Sequence, residues 1–303
     1  MARHALLFLH GFMGSASDGV PLIEALRARL RPETAEATLP AYFANFPLAP
    51  AQPQEEPLVD QQLKEQMEAG LKGQARQILQ RMMQQQQIHG VTHWHIMGYS
   101  LGGRIAQALV FDVLPCVAGS ETLQLASLTL LAAHPGMPDT AHELRTQRLE
   151  QDQRLAERLC ALKTPADWRA FLDQFWYTLP LFGALRTHPE YAGFLHRRTQ
   201  CRHPNEGQVW AKLLMQTSNA NQRDYREDLV RATFPVLYLA GAQDAKYAQV
   251  GQDLAQRAKA ATKTESAAGF CYHEVSQAAH MLHFEQPESC VNLCAEHLGP
   301  LLW

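Results

Sequence analysis

Short apolar runs recur along the chain, and each is cut off by glycine, proline or histidine. Ala5 to Leu9 stops at His10-Gly11, and Trp94 to Met97 runs into Gly98-Tyr99-Ser100-Leu101-Gly102. Ser127 to Ala132 ends in His134-Pro135-Gly136, Val236 to Leu239 in Gly241-Ala242-Gln243-Asp244, and Cys271 to Val275 precedes Ala278-Ala279-His280. A continuous apolar run such as Ala5 to Leu9 is expected of a strand covered on both faces, as in a mostly parallel sheet, and the other stretches read as further strands of it. Leu22 to Leu30 has helical apolar spacing, Ala106, Leu109 and Val110 continue a helix after Ser100, and a helix from Pro287 closes the chain. Strands alternating with helices predict an α/β protein with helices flanking a mostly parallel central sheet.

Two stretches break this rhythm. Pro40, Pro47, Pro50, Pro53 and Pro57 punctuate residues 40–75, which read as a loop or lid leading into a helix that ends near Gln87. Gln84 to Gln87 read as its solvated end. From about 137 to 230, long helical segments rich in Arg and Glu surround Trp168 and Phe175-Trp176-Tyr177. The expected organisation is a core of residues 1–136 and 231–303 with a helical cap inserted at 137–230.

Composition narrows the classes. At 303 residues, 46% hydrophobic and 19% charged, the chain has the make-up of a globular protein with a large core. A net charge of −3 gives no electrostatic reason to expect nucleic acid or an anionic membrane. The first apolar run is too short for a signal peptide, and no run spans a bilayer, so a cytoplasmic protein is expected. Six cysteines at 116, 160, 201, 271, 290 and 294 form no Cys-x-x-Cys pair and read as thiols of a reduced compartment. No His/Cys/carboxylate cluster implies a metal, no organic cofactor is called for, and oligomeric state is not legible.

The chemistry converges on three residues. Gly-x-Ser-x-Gly between a strand and a helix places Ser100 on a sharp turn with its hydroxyl exposed above the sheet edge. The order Ser100, Asp244, His280 is that of the α/β-hydrolase triad, and each member follows a predicted strand. His283 is the rival for His280, which is preferred because it follows the strand sooner; His273 lies within the strand and reads as structural. The amides of Leu101 and, after the His-Gly turn, Phe12 are the candidates for an oxyanion hole. His-Gly alone is also an ordinary glycine loop. Arg104, one helical turn beyond Ser100, reads either as a solvated helix arginine or as a carboxylate-binding fork. The predicted cap adds Arg145, Arg148, Arg198 and Arg202 beside Trp176 and Tyr177, which suggests a substrate bearing several carboxylates.

Gly98-Tyr99-Ser100-Leu101-Gly102-Gly103-Arg104, His134-Pro135-Gly136, Arg145-x-x-Arg148, Phe175-Trp176-Tyr177 with Pro180-Leu181-Phe182, Gly241-x-x-Asp244-x-Lys246-Tyr247 and Ala279-His280 together carry a resemblance. The pattern resembles the 2-succinyl-6-hydroxy-2,4-cyclohexadiene-1-carboxylate (SHCHC) synthases, pyruvate-eliminating lyases of menaquinone biosynthesis. The resemblance implies an α/β-hydrolase fold with a cap and a lyase without cofactor. The implied substrate is 2-succinyl-5-enolpyruvyl-6-hydroxy-3-cyclohexene-1-carboxylate. It further implies Ser100, Asp244 and His280 as the triad, Phe12 and Leu101 as oxyanion amides, and Tyr99, Arg104, Arg148, Trp176 and Tyr177 in the substrate pocket. One more pocket arginine falls on Arg202 or Arg198. Two departures stand out: Thr38 to Phe43 replaces an Asp-x-Pro-Gly-x-Gly loop, and the Pro/Gln-rich insertion is long. The alternatives are a serine carboxylesterase, thioesterase or carbon–carbon bond hydrolase acting on an anionic substrate, or a non-catalytic binding fold that retains the three residues.

Overall fold

The computed structural model describes residues 3–30, 39–46, 70–116, 123–200, 202–261 and 269–302. Thr38, residues 47–69 of the Pro/Gln-rich stretch and Cys201 lie outside the described residues.

Six strands form one parallel sheet: β1 (His4–Leu9), β2 (Ala41–Ala44), β3 (His93–Tyr99), β4 (Gln124–Leu131), β5 (Val236–Gly241) and β6 (Phe270–Val275). Their spatial order is β2-β1-β3-β4-β5-β6. The chain steps outward from β1 to β2 and then crosses back to β3, so the winding reverses between β1 and β3. The carboxyl ends of strands at such a reversal open a crevice, where ligands bind in open α/β sheets. β5 is buried at every position, as a continuous apolar run demands, while β6, at the edge, alternates and is largely exposed.

The flanking helices are α1 (Val20–Arg29), α2 (Gly70–His89), α3 (Leu101–Ala108), α9 (Ala245–Ala261), α10 (Leu282–Glu285) and α11 (Pro287–Leu302). Between β4 and β5 the described chain is helical: α4 (His142–Cys160), α5 (Pro165–Gln174), α6 (Tyr191–Gln200), α7 (Glu206–Gln216) and α8 (Arg226–Val230). Arg145 joins the two ends of this segment. Its guanidinium donates to the carbonyls of Met137 and Pro138 at the entry and of Ala220 and Gln222 near the exit.

One expectation changes. The sequence pattern of residues 41–44 reads as part of a loop, yet they form β2 beside β1, with Leu6 N donating to Pro40 O at 2.9 Å to open the ladder. The four residues are too short for a period to show, and the flanking prolines are tolerated because β2 is an edge strand.

Besides His280, four histidines, His10, His95, His134 and His283, are buried. Burial pushes His95 down to about 3, His10 and His283 to about 4, and His134 well below the usual imidazole range. All are neutral in the native state but protonate near pH ~6.5 when unfolded. Their stabilisation is therefore complete above that pH and is lost as pH falls toward the native values. Each group subtracts up to about 1.4 kcal/mol per pH unit. Glu285, pushed up to about 7 chiefly by burial, opposes this as one group against four. The melting temperature is expected to fall steeply between pH 6.5 and 5 while staying level from pH 7 to 8. Thermal denaturation across that range checks this, and a flat profile down to pH 5 would refute it.

Candidate active site

Parallel register sets the site. Leu9 pairs with Gly98, Tyr99 with Leu131, Leu131 with Leu239, and Gly241 with Val275, so five strands end on one line. Phe12, Ser100, His134, Asp244 and His280 each follow within a few residues of these ends. Ser100 sits at φ 50°, ψ −111°, a strained conformation for a residue with a Cβ, between β3 and the first turn of α3. The turn survives because its neighbours are glycines. A Cβ on Gly98 would meet Gly103 Cα at 2.5 Å, and one on Gly102 would meet Leu9 O at 2.1 Å. Among the described residues, the other non-glycines at left-handed φ are Met13, Ala132 and Gln277. All lie in the strand-end loops that carry this site, where strain of about 1–3 kcal/mol per residue is held by the surrounding fold.

His280 Nδ1 lies 2.6 Å from Asp244 Oδ2, and its Nε2 lies 3.0 Å from Ser100 Oγ. With Nδ1–H donated to the carboxylate, Nε2 is the acceptor for the serine hydroxyl. Asp244 and His280 are both buried. Asp244 Oδ1 also accepts from Tyr247 N at 3.3 Å, which fixes the carboxylate plane. The His280 turn is held by Gln243 N donating to Ala278 O at 2.8 Å and by His280 N donating to Leu181 O at 3.1 Å. His283 stands apart. Neither of its ring nitrogens has a hydrogen-bond partner among the described residues, and its ring packs 4.4 Å from that of Tyr99.

Leu101 opens α3, so its amide is one of the helix-start donors without an acceptor inside the helix. Phe12 follows β1 on the facing side, and both residues line the same cavity as Ser100 and His280. The Phe12 loop is pinned from two directions. His10 Nδ1 donates to Gly11 O at 2.8 Å while its Nε2 accepts from Phe46 N at 3.2 Å. Met13 O accepts from Arg198 Nη1 at 2.9 Å and from Arg202 Nη2 at 2.7 Å.

The cavity above Ser100 has a volume of about 460 Å³. Trp176, Phe175, Leu179 and Leu181 supply an apolar wall. Arg104, Arg148, Arg154, Arg158 and Lys246 also line it, against the single carboxylate of Asp152. Arg104 is buried, donating Nε to Gln222 Oε1 and Nη2 to Thr217 O. Gln222 is itself oriented by donating to His134 O at 3.0 Å. Burial and the neighbouring Arg148 push the Arg104 guanidinium down to about 10. Lys246 is lowered by burial and then by Arg148. Arg148 Nε lies 2.9 Å from Asp152 Oδ1, whose other oxygen accepts from Ser218 Oγ at 2.7 Å. The cationic wall is therefore crowded and only partly neutralised, with Arg104 buried, Arg148 half-buried and Arg154, Arg158 and Lys246 exposed at its rim.

Of the residues singled out in the sequence, Arg104, Arg148 and Trp176 line this cavity together with Ser100, Leu101, Phe12 and His280, with Asp244 behind His280. Tyr99 and Tyr177 do not line it. They border a recess of about 20 Å³ shared with Ser100, Trp176 and Arg198. Arg202 points elsewhere: it binds Met13 O, Arg198 O and the Glu206 carboxylate, and stacks over the Trp168 ring. Arg154, Arg158, Lys246 and Tyr247 were not singled out as pocket residues. For Arg158 a signal existed, since Arg148, Gln151, Leu155 and Arg158 fall on one helical face.

A model of the alpha/beta hydrolase family matches residues 6–293. The chain belongs to the alpha/beta hydrolase family. Within that family, 2-succinyl-6-hydroxy-2,4-cyclohexadiene-1-carboxylate synthase from Salmonella schwarzengrund (strain CVM19633) is 30% identical over 210 residues, covering 69% of this chain and 70% of the relative. MenH from S. aureus matches the fold with a TM-score of 0.71 at 18% identity, covering 99% of this chain and 95% of that one. A thermophilic esterase from Thermogutta terrifontis, solved with malate bound, matches with a TM-score of 0.63 at 19% identity over 99% and 91%. Among the described residues of this alpha/beta hydrolase, no helix is long and apolar enough to cross a membrane.

The serine turn of this alpha/beta hydrolase gives a direct test. Gly102→Ala forces a methyl into Leu9 O and His10 O, and is expected to cost at least about 1–3 kcal/mol, with activity lost. Gly193→Ala in α6 meets nothing closer than Arg197 Nη1 at 3.5 Å, and should leave stability unchanged or raise it by up to about 1 kcal/mol. Denaturant melts of the two variants compare them; equal stability would contradict this packing.

Proposed function

We propose that this protein is the pyruvate-eliminating lyase of menaquinone biosynthesis, forming SHCHC from 2-succinyl-5-enolpyruvyl-6-hydroxy-3-cyclohexene-1-carboxylate. The observation that carries the reading is a triad-bearing cavity whose wall holds five cationic side chains against one carboxylate. Neutral esters have no use for such a wall, whereas a substrate with several carboxylates relieves the mutual repulsion of Arg104, Arg148 and Lys246. The synthase relative agrees with this substrate class.

In this mechanism His280, held in one tautomer by Asp244, takes a ring proton through or beside Ser100. The electron pair released from the C2–H bond beside the succinyl ketone forms the C2=C3 double bond, the existing C3=C4 double bond shifts to C4=C5, and the C5–O bond breaks to expel enolpyruvate. The proton returns to the departing enolpyruvate, which becomes pyruvate, so no water is consumed. The Phe12 and Leu101 amides hold the developing enolate of the succinyl ketone. Trp176 covers the reacting ring, and residues 137–230 act as a cap over the core of residues 1–136 and 231–303. Tyr99, Tyr177 and Arg198 act from the recess beside Ser100, and Arg202 acts through the Phe12 loop rather than on substrate.

Pyruvate release followed with a coupled dehydrogenase is the deciding assay. Wild type is expected to release one pyruvate per substrate and Ser100→Ala to release none while still binding the anionic substrate. Hydrolysis of simple esters without pyruvate release would favour a carboxylesterase instead.

Arg104→Ala is expected to cost roughly 30- to several thousand-fold in kcat/KM, about 2–5 kcal/mol, because a substrate carboxylate loses its buried partner. Arg104→Lys keeps the charge but not the fork and should recover only part of that loss. Wild-type kinetics in a folded Arg104→Ala variant would remove the carboxylate-binding role.

A further inference from the structure

The turn that presents His280 carries a buried carboxyl group that the proposed mechanism leaves unused. Glu285 ends α10, five residues after His280, and its side chain folds back under the turn. Its Oε2 accepts from the backbone N–H of Ala279, the residue immediately before His280, at 2.8 Å. Its own N–H donates to Met281 O at 2.9 Å, so Glu285 grips the turn on both sides of His280. Among the described residues it makes no ion pair, although a buried carboxylate is normally paired. Its charged or titratable neighbours are Asp244 from the β5–α9 loop, Tyr99 from β3 and Cys290 from α11, and none of them is cationic.

The rest of the turn explains why such a grip is needed. Gln277 stands at φ 58°, and the Ala278 and Ala279 carbonyls pass so close to Gly241 that a Cβ there would sit 2.3 Å and 2.1 Å from them. The turn is thus bent hard against the end of β5. It must still hold the imidazole within hydrogen-bond reach of both Asp244 and Ser100. Without an acceptor, the buried Ala279 N–H would be left unpaired and the turn free to relax toward solvent.

We propose that Glu285 is a positioning residue for His280, fixing the imidazole between Asp244 and Ser100 through the Ala279 amide and placing a negative charge behind the triad. The second part follows from the neighbours: Glu285 lies near Asp244 on the far side of the turn, so the imidazolium formed when His280 takes a proton has two carboxyl groups behind it. Burial, opposed by the Ala279 N–H and reinforced by Asp244, brings the carboxyl to about 7, so its charge changes around neutral pH. The role holds whether the triad serves elimination or hydrolysis.

The experiment compares Glu285→Ala and Glu285→Gln with wild type, using pyruvate release, turnover of a simple nitrophenyl ester and thermal melts. Glu285→Ala is expected to lower kcat by roughly tenfold or more with KM little changed, in whichever reaction the protein catalyses. Glu285→Gln restores an oxygen acceptor for Ala279 N–H without the charge. It should recover most of kcat at alkaline pH and displace the acidic limb of the kcat/KM profile to lower pH. A purely structural role would lower the melting temperature of both variants and leave that limb in place. Wild-type kcat in a folded Glu285→Ala variant, or an unmoved acidic limb in Glu285→Gln, overturns the proposal. Absence of pyruvate release in wild type overturns the lyase reading instead, and the ester assay then carries the comparison.

Discussion

The first turn of α3 lies directly against the end of β1, with Gly102 in contact with the Leu9 and His10 carbonyls. Everything else at the site depends on that contact. It brings the amide after the serine and the amide after the His-Gly turn to one point, and it forces Ser100 out of the ordinary backbone regions. Gly102, a helical residue without a side chain, permits it, and the adjacency of β1 and β3 in the sheet demands it. The strain at Ser100, Met13, Ala132 and Gln277 is stored in loops whose ends are fixed by parallel register, so the fold, rather than the loops, holds the geometry.

Around that fixed point the electrostatics run in opposite directions. Behind His280 the buried groups are acidic, Asp244 and Glu285; in front of it the cavity wall is cationic. The imidazole lies between the two, with Nδ1 on the Asp244 carboxylate and Nε2 turned toward Ser100 and the cavity. Arg104 has exchanged its water shell for Gln222 and the Thr217 carbonyl, so its orientation is set before any ligand arrives.

The sequence reveals β3 and β5, which lead to Ser100 and Asp244, because mostly apolar runs buried on both faces carry a clear signal; β6 is a half-exposed edge strand, marked instead by its place before Ala278-Ala279-His280. β2 escapes the signal, being four residues long at a sheet edge, and the Ala-Tyr-Phe-Ala run between prolines resembles loop. Ser100, Asp244 and His280 are legible because chain order and strand ends are one-dimensional facts. The pocket arginines are harder. Arg198 lies in the last turn of α6 and Arg202 just beyond its end, and only packing shows that both forks reach Met13 O. Whether a side chain faces a cavity or a neighbouring loop depends on how α6 docks, and local pattern contains no record of that. Glu285 illustrates the same limit: in the sequence it is one more carboxylate at a helix end.

Arg145 gathers the entry and the exit of the helical segment onto one guanidinium. A segment whose two ends are fastened together is a branch hung from a single node. Lengthening, shortening or replacing it leaves the separation of β4 and β5 unchanged, since closing a longer branch adds only a slowly growing entropy cost. The cationic wall can therefore be redrawn, and the choice of anion with it, while the strand ends beneath keep the same serine, acid and base.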